Sequence, residues 1–467
     1  MKRRTLLKAA GSAVALSIFP FPFSGLLKNP LLNHPNILEK ENLQSLCRRT
    51  AQVIQVKWEE LPWKVDANIY KKLNQKWTLF SRTGWNPETQ QAAAKTPASM
   101  LRNMREASHS TLLDYALSGA GWWVAIKGAA NLMDFGDGGL VSWESKMPPT
   151  FSVAADSWKA NPELQKLQAQ FKAAMQKKPA VLTKIVKKVA MYLGADLVGV
   201  APYDDRWTYS HRVQNPRYHP GEPYKEEPLE IPKEIKYAIV LAFAEDYAMQ
   251  ETAEGGPSMG DIGFGYSKMA IGAGSLAEFL RCLGYMAIPT GNDTALSIPY
   301  AIAAGLGEYS RMGLIITPEY GPRIRLAKVF TDAPLITDQP IRFGVYEFCK
   351  TCKKCAKACP AGAIPLGDPT WEAPTESNNP GVWKWYVDPI KCFEYWCVSG
   401  TPGCGICVRV CPYNKPKWWL HEVFRDYFAT LVGGETGKNL DDALGYGTKR
   451  PSKEWWEFDY KQEVGGA

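Results

Sequence analysis

Apolar residues recur at regular spacing through the middle of the chain. Residues 181–195, VLTKIVKKVAMYLGA, place them at helical intervals, and Gly194 closes the run. Short apolar runs predict buried strands in DLVGVAPY, YAIVLAFA, MAIPTG and GLIITPEYG. Between these runs, YSKMAIGAGSLAEFLRCLGY and LSIPYAIAAGLGEYS predict two further helices. Alternation of this kind favours a layered core of the α/β (α+β) class.

The flanking segments are less regular. Residues 26–175 are rich in tryptophan and turn formers, which predicts an irregular domain wrapped over a core formed by residues 176–340. Residues 341–420 hold most of the cysteines, and residues 421–467 predict a tail that packs back on the body. The chain is therefore expected to contain two or three domains.

Glycine-rich boundaries mark places where backbone can approach a large ligand. IPTGND and AAGLGEYSRMG are such boundaries, so Gly291 and Gly313 are candidate cofactor contacts. No strand is followed by G-x-G-x-x-G or a Walker A loop, so the sequence does not indicate a dinucleotide or a nucleoside triphosphate.

Composition excludes some classes of protein. The 467 residues are 45% hydrophobic and 22% charged, which is ordinary for a globular chain and unlike a disordered one. The net charge of +8 comes with neither a basic helix nor an aromatic RNA-binding signature, so no nucleic-acid partner is expected.

The N-terminal residues 1–25 predict a signal peptide. Arg3 and Arg4 precede an apolar stretch, and the pair followed by TLLK resembles the twin-arginine type, which exports proteins already folded around their cofactors. A Sec signal is the alternative. No later stretch reaches the ~20 apolar residues of a membrane span, so we expect a soluble or peripheral protein on the outer face of the cytoplasmic membrane.

Nine of the 11 cysteines lie between residues 349 and 411. Cys349, Cys352, Cys355 and Cys359 fit C-x2-C-x2-C-x3-C-P, the spacing in which three thiolates hold one [4Fe–4S] cube and the fourth reaches another. A second group follows: Cys392, Cys397, Cys404, Cys407 and Cys411, the last again before proline. Structural zinc sites, which also use paired C-x2-C motifs, and disulfides are the alternatives to iron–sulfur ligation.

The interleaved pattern predicts the ligands of both cubes. Cys411 would complete the first set, which otherwise holds Cys349, Cys352 and Cys355. Cys359 would complete the second set, which otherwise holds Cys392, Cys404 and Cys407. Cys397 is then the spare cysteine.

From about residue 180 onward the chain resembles the corrinoid-dependent reductive dehalogenases of organohalide respiration. The resemblance rests on the twin-arginine start and on ADLVGVAPYDDRW, GFGYSKM, LGYMAIPTGND, AGLGEYSRMGLIITPEYGPRIRLAKVFTDAPL, FGVYEFCKTCKKCAKACP and DDALGYG. It implies a nitroreductase-like corrinoid-binding core with a C-terminal ferredoxin-like domain for two [4Fe–4S] clusters. The implied corrinoid, of the cobalamin or norpseudo-B12 type, is base-off, with one cube near the cobalt and the other near the surface.

The resemblance also implies a catalytic group. A tyrosine donates a proton beside the corrinoid, supported by an arginine and an asparagine, and the matching positions are Tyr266, Arg311 and Asn292. A free tyrosine, with a pKa of about 10, is a slow acid at neutral pH unless a cation stabilises its phenolate. Trp396 is the best candidate for an apolar pocket wall, and Trp122 and Trp123 are weaker ones.

Partners and substrate follow from the same resemblance. The expected substrate is a small organohalide, first a chlorinated alkane or alkene, with aryl halides left open. A small integral-membrane anchor protein and a membrane electron donor, either the quinone pool or a hydrogenase complex, are the expected partners, and a homodimer is left open. The alternatives are an enzyme like epoxyqueuosine reductase and an exported two-cluster electron-transfer protein.

Overall fold

A computed structural model describes residues 53–106, 110–125, 162–214, 223–292, 294–401, 403–416 and 433–457. The predicted signal peptide, residues 1–25 with Arg3 and Arg4, lies outside the described residues. Within the described ranges, no helix combines the length and the apolar character that crossing a membrane would require.

A four-stranded sheet lies at the centre, in the order β2-β5-β9-β6. Its strands are β2 (Leu197–Pro202), β5 (Tyr237–Ala244), β6 (Ala287–Thr290) and β9 (Ile324–Thr331). Every neighbouring pair is antiparallel, with Val240 opposite Lys328 and Lys328 opposite Thr290. The core is therefore mixed, of the α+β kind, and does not have the parallel strands of an α/β sheet.

Short strands form three small pairs outside this sheet. They are β1 (Ile54–Gln55) with β10 (Ile341–Arg342), β3 (His211–Gln214) with β4 (Lys225–Pro228), and β7 (Glu308–Tyr309) with β8 (Ile315–Ile316). The first pair ties the beginning of the described chain to the segment that leads into the cysteine region.

Helices before the cysteine region are α1 (Leu79–Arg82), α2 (Pro87–Ala94), α3 (Thr96–Glu106), α4 (Leu112–Trp123), α5 (Pro162–Gln176), α6 (Pro179–Tyr192), α7 (Tyr247–Gln250), α8 (Pro257–Cys282) and α9 (Ser297–Ala303). Helices in and after it are α10 (Val345–Cys352), α11 (Lys354–Ala358), α12 (Pro389–Ser399), α13 (Ile406–Arg409), α14 (Gly434–Ala443) and α15 (Ser452–Trp456).

The long helix α8 packs against the sheet and against α4. Alternate side chains of β5 and β9 point to opposite faces. One face joins α6 and α8 in a core that includes Leu182, Phe243 and Leu276. The opposite face joins α9 and the first cysteine segment in a second core, which includes Phe330 and Phe348. The sheet thus lies between α8 on one side and the cysteine region on the other.

The predicted elements are found in part. The strands β2, β5 and β6 fall in the predicted apolar runs, but GLIITPEYG contributes only the two residues of β8. Helix α8 begins at Pro257, well before the predicted start, because the glycine-rich GDIGFG continues the helix. Strand β9 was not predicted. The domain boundaries and the nitroreductase-like likeness of the core stay predictions.

Candidate functional site

Four cysteines surround one cavity beside α10. Cys349 and Cys352 lie on this helix, Cys355 lies on α11, and Cys411 follows α13. All four are buried. Burial raises the pKa of the Cys349 thiol to about 12 and that of Cys352 to about 11. Thiols in such surroundings stay protonated unless a metal takes the thiolate, which suits iron ligation.

A second set of four lies nearer the surface. Cys359, Cys392, Cys404 and Cys407 are partly exposed, and each interacts electrostatically with others of the set. Burial raises the pKa of Cys392, Cys404 and Cys407 to about 12. Among the described side chains, no three of Cys, His, Asp or Glu are close enough to hold a single metal ion.

Cys397 belongs to a different cluster of side chains. It is 3% exposed and packs with Ala92 and Phe393 in a small apolar cluster. The structure thus brings together the two sets of four that the interleaved pattern predicts and leaves Cys397 outside them. Their role as ligands stays a prediction.

Arg311 binds backbone carbonyls around the first cysteine set and does not contact Tyr266. Its side chain is 1% exposed, and its guanidinium lies 4.6 Å above the Trp385 ring. Its nitrogens donate to four carbonyl oxygens, those of Cys349, Lys350, Pro365 and Gly367, at 2.7–3.2 Å. The first two carbonyls belong to the last turn of α10, where a cation is favoured. The expectation that Arg311 supports Tyr266 is therefore corrected, because these bonds direct its donors to the cysteine loop.

Tyr266 and Asn292 do meet. Tyr266 lies on α8, and Asn292 follows β6 at the edge of the sheet. The Asn292 amide Nδ2 donates to the Tyr266 hydroxyl oxygen at 3.1 Å. The Asn292 side chain is exposed, so this hydrogen bond lies at an open face of the protein.

The cation beside Tyr266 is Arg325, on β9. Its guanidinium carbon lies 5.3 Å from the Tyr266 ring centroid, and its Nε donates to Glu245 Oε1 at 2.6 Å. Burial alone would lower the pKa of Arg325. The interactions with Glu245 and Tyr266 have a larger, opposite effect, so the pKa of Arg325 is raised. Gly265 makes room for this arginine, since a Cβ there would lie 2.8 Å from Arg325 Cγ.

Trp122 covers the other side of Tyr266. The two rings are stacked with centroids 4.8 Å apart and planes 23° from parallel. Gly263 provides the space, because a Cβ there would lie 2.5 Å from the indole of Trp122. Trp123 is 62% exposed. Of the two adjacent tryptophans, Trp122 is thus the one that contacts the candidate catalytic group.

The other candidate cofactor contacts have different surroundings. The carbonyl oxygen of Gly291 accepts a hydrogen bond from the Lys328 ammonium. Gly313 has φ of 78°, the left-handed region that favours glycine, and turns the chain between β7 and β8. Trp396 lies 6.3 Å from the Phe80 ring and beside the Cys392 thiol, so it borders the second cysteine set. That these residues contact a corrinoid stays a prediction.

Buried polar atoms beside the first cysteine set fit a corrinoid. Asn414 is 2% exposed, yet neither atom of its side-chain amide has a partner within the described protein, and the same is true of the Tyr413 hydroxyl. Tyr413 packs on Phe348 at 5.1 Å, next to the cysteine cavity. Buried polar groups need partners, and the peripheral amides of a corrinoid offer both donors and acceptors. The residues present are therefore compatible with the cofactor.

Comparison with known proteins agrees with this chemistry. The family described as a 4Fe-4S double cluster binding domain matches residues 348–414. A tetrachloroethene reductive dehalogenase of Desulfitobacterium hafniense is 36% identical over 406 residues, which cover 78% of this chain and 73% of that protein. One from Sulfurospirillum multivorans is 41% identical over 304 residues, which cover 60% of each chain.

Solved structures show the same fold. A catabolic reductive dehalogenase has a TM-score of 0.64 at 23% identity, and the match covers 88% of this chain and 51% of the other. The chain therefore spans about half the length of that structure. A second structure, whose description concerns B12-dependent dehalogenation, has a TM-score of 0.58. From the identity to the curated relatives and the match to the double-cluster domain, we conclude that the chain belongs to the corrinoid- and iron–sulfur-dependent reductive dehalogenase family.

Proposed function

We propose that this enzyme replaces a chlorine of a small chlorinated alkene or alkane by hydrogen. The observation that carries the proposal is the Tyr266 hydroxyl held by Asn292 at 3.1 Å with the Arg325 cation against its ring. The substrate class is supported by relatives named tetrachloroethene, trichloroethene and chloroethene reductive dehalogenases. The reaction consumes two electrons and one proton and releases chloride.

Tyr266 is the proton donor in this proposal. Losing the proton creates a phenolate, and the positive charge of Arg325 and the N–H of Asn292 both stabilise that anion. Arg325 keeps its charge because Glu245 pairs with it from behind. Trp122, stacked on the ring, keeps water from one face of the tyrosine. A corrinoid, when bound, would supply the reducing cobalt chemistry for carbon–halogen cleavage, and Tyr413 and Asn414 would offer polar contacts to its amides.

Iron–sulfur clusters held by the two cysteine sets would pass electrons from a donor to the reaction site. The second set is partly exposed and the first is buried, so electrons are proposed to enter at the second and leave from the first. Arg311 holds the loop of the first set by its four carbonyl contacts. The proposed ligands are Cys349, Cys352, Cys355 and Cys411 for one cube, and Cys359, Cys392, Cys404 and Cys407 for the other.

The wider setting is also proposed. A nitroreductase-like core of residues 176–340 binds the corrinoid, and residues 341–420 form the cluster domain. The twin-arginine segment directs the folded enzyme to the outer face of the membrane, where an anchor protein and a membrane electron donor meet it. These proposals rest on the sequence pattern of residues 1–25 and on the family.

A substrate panel tests the proposal. Purified enzyme with reduced viologen is supplied with chloroethenes, chloroethanes, chloromethanes and chlorophenols, and chloride release is measured beside Tyr266→Phe. We expect chloroethene or chloroethane turnover, and a loss of about 10² to 10⁴ in rate for the variant with corrinoid retained. Full activity of Tyr266→Phe would exclude Tyr266 as the proton donor, and turnover of chlorophenols alone would overturn the substrate class.

The alternative of an epoxyqueuosine reductase has less support. A relative of that name from Lactococcus garvieae is 35% identical over 130 residues, which cover only 26% of this chain. The shared stretch is too short to favour that activity over dehalogenation.

A further inference from the structure

A fully buried lysine lies behind the Tyr266–Asn292 pair. Lys328 is on β9, opposite Thr290 at the end of β6, and its side chain is 0% exposed. Its ammonium contacts the carbonyl oxygen of Gly291, the carbonyl oxygen of Ala295 at 3.2 Å and Ser297 Oγ at 2.8 Å. All three acceptors belong to the loop that carries Asn292 or to the first residue of α9. The buried ammonium group therefore holds the loop that carries Asn292 against the sheet.

Hydrogen bonds connect this lysine to the tyrosine. Ser297 Oγ lies 3.0 Å from Asn292 Oδ1, and Asn292 Nδ2 lies 3.1 Å from the Tyr266 oxygen. The second acceptor within reach of Ser297 Oγ, the Gly291 carbonyl, is farther away at 3.4 Å. The Tyr209 hydroxyl also donates to the Asn292 backbone carbonyl at 2.8 Å, which holds the loop itself.

Lys328 determines which group donates and which accepts in each hydrogen bond from Ser297 to Asn292 and from Asn292 to Tyr266. An ammonium can only donate, so Ser297 Oγ accepts from Lys328 and its single hydrogen is left for Asn292 Oδ1. With its oxygen engaged, the amide of Asn292 presents its NH2 group to Tyr266. The Tyr266 oxygen then accepts, and its own hydrogen points away from Asn292.

We infer that Ser297 and Lys328 are positioning residues which keep the Asn292 amide in the one orientation that leaves the Tyr266 hydrogen available to the substrate. This inference rests on the proposed role of Tyr266 as proton donor. If the amide turned by 180°, its oxygen would face Tyr266 and accept the hydroxyl hydrogen. The proton would then be held in a hydrogen bond that must break before transfer, and the phenolate would face an oxygen instead of an N–H.

Ser297→Ala is the direct test, because it removes the hydroxyl that fixes the amide while Lys328 keeps its two carbonyl acceptors. We expect a loss of about 10-fold in kcat with KM unchanged and with iron and corrinoid contents equal to those of the wild type. Ser297→Thr keeps the hydroxyl and should restore the rate, since Ser297 is only partly buried. Lys328 itself is left intact, because its replacement could unfold the core.

Two further readouts separate positioning from a general structural defect. The crystal structure of the holoenzyme variant Ser297→Ala should show the Asn292 amide turned or displaced from Tyr266. The solvent deuterium isotope effect on dehalogenation should increase, because proton transfer becomes more rate-limiting. An unchanged Asn292 geometry together with wild-type rate would overturn the inference.

A double-variant cycle with Tyr266→Phe distinguishes this inference from the proposed function. If Ser297 acts through Tyr266, the variant carrying both changes should be no slower than Tyr266→Phe alone. A further loss of similar size in the Tyr266→Phe background would overturn the positioning role. A wild-type rate for Tyr266→Phe would instead refute the proposed proton donor, whereas a slow Tyr266→Phe with a fully active Ser297→Ala would refute only the positioning role.

Discussion

Arg311 and Arg325 have separate surroundings: Arg311 is 1% exposed beside the first cysteine set, and Arg325 is partly buried against the Tyr266 ring. Arg311 lies in a motif of the family and was therefore expected beside Tyr266, but its donors bind backbone carbonyls around the first cysteine set. Arg325 was not predicted, although it lies against Tyr266. Position along the chain gives no information on which cation reaches a given side chain, since that depends on how β9 is registered in the sheet. Tyr266 and Asn292, by contrast, could be paired from their motifs.

Replacing each arginine by glutamine should separate the two roles. Arg325→Gln removes the charge beside Tyr266, so the dehalogenation rate should fall by about 10² or more while iron and corrinoid are retained. Arg311→Gln should instead lower the iron content, because the carbonyls at the end of α10 lose their cation. Rate, iron and cobalt are measured on the same preparations. A low rate with full iron in Arg311→Gln and a normal rate in Arg325→Gln would reverse the assignment.

The spare cysteine offers a second residue-level test. Cys397 packs among apolar side chains, so Cys397→Ser should keep about eight iron atoms per chain, whereas Cys355→Ser should lose a cube. Iron analysis and EPR of the reduced protein provide the measurement. Loss of a whole cube in Cys397→Ser would contradict the ligand sets.

A buried carboxyl behind Arg325 should make stability depend on pH. Burial, and then repulsion from Glu245, raises the pKa of Asp261 to about 7. Asp246, Arg323 and Arg325 also act on Asp261. The folded protein therefore binds a proton that the unfolded chain has released between about pH 4 and 7. This contribution to stability is present at low pH and is lost as the pH rises through 7.

Asp261→Asn copies the protonated form and should remove that loss. We expect the Tm of the variant to equal that of the wild type at about pH 4, where Asp261 is protonated in the folded protein and mostly protonated in the unfolded chain, and to exceed it by roughly 1–3 °C at pH 8. Asp368→Asn, at an exposed position, serves as the control and should show no pH-dependent difference. A Tm for Asp261→Asn below that of the wild type at pH 8 would contradict the expectation that ionised Asp261 destabilises the folded protein.

At the scale of elements, the strands that carry no charge were predictable and β9 was not. Apolar runs identified β2, β5 and β6, whereas IRLAKVFT contains Arg325 and Lys328 and so does not appear as a buried strand. Both charges are tolerated because each has partners: Glu245 for Arg325, and Ser297 with loop carbonyls for Lys328. Arg325 and Lys328, which make β9 look unlike a buried strand, are also the residues that support the Tyr266–Asn292 pair. Functional sites are where local sequence rules are expected to fail.

The crossing of α4 and α8 depends on glycine. A Cβ at Gly121 would lie 2.3 Å from the Gly260 carbonyl oxygen, so Gly121→Ala should push α4 away and pull Trp122 off Tyr266. Both Tm and dehalogenation rate should fall. Gly119→Ala is the matched control on the same helix, because nothing lies within 4 Å of its Cβ and alanine favours a helix by up to about 1 kcal/mol. Equal Tm values for the two variants would contradict the close crossing.

At the scale of the molecule, helix α14, which follows the cysteine region in the chain, is attached to that region by buried ion pairs. Asp441 is 0% exposed and binds Lys354 at 2.6 Å and Lys415 at 2.5 Å. The two lysines flank the first cysteine set, one on α11 and one after Cys411. The sequence predicted that the tail packs back on the body. It could not predict the partners, because Asp441 and Asp442 look alike in the sequence.

Asp441→Asn should therefore be far more damaging than Asp442→Asn. It removes the buried carboxylate that Lys354 and Lys415 share, and breaking a buried ion pair of this kind costs about 3–5 kcal/mol. Asp442 is half exposed, and its pair with Lys354 contributes at most about 1 kcal/mol. Tm and iron content are measured for both variants. Equal losses would show that the buried pair does not attach the helix.

The cavity of the first cysteine set also constrains how the enzyme is made. Its walls come from Cys349, Cys352 and Cys355 on one side and from Cys411 to Tyr413 on the other. A nascent chain still on the ribosome and ending before Cys411 has only half of this cavity. With Cys411 as the proposed fourth ligand, insertion of the inorganic cube must wait until the segment that carries Cys411 has been synthesised and has packed beside α10. The factors that donate iron and sulfide therefore act on a chain in which both segments have already come together, so cluster insertion follows folding of this part of the protein.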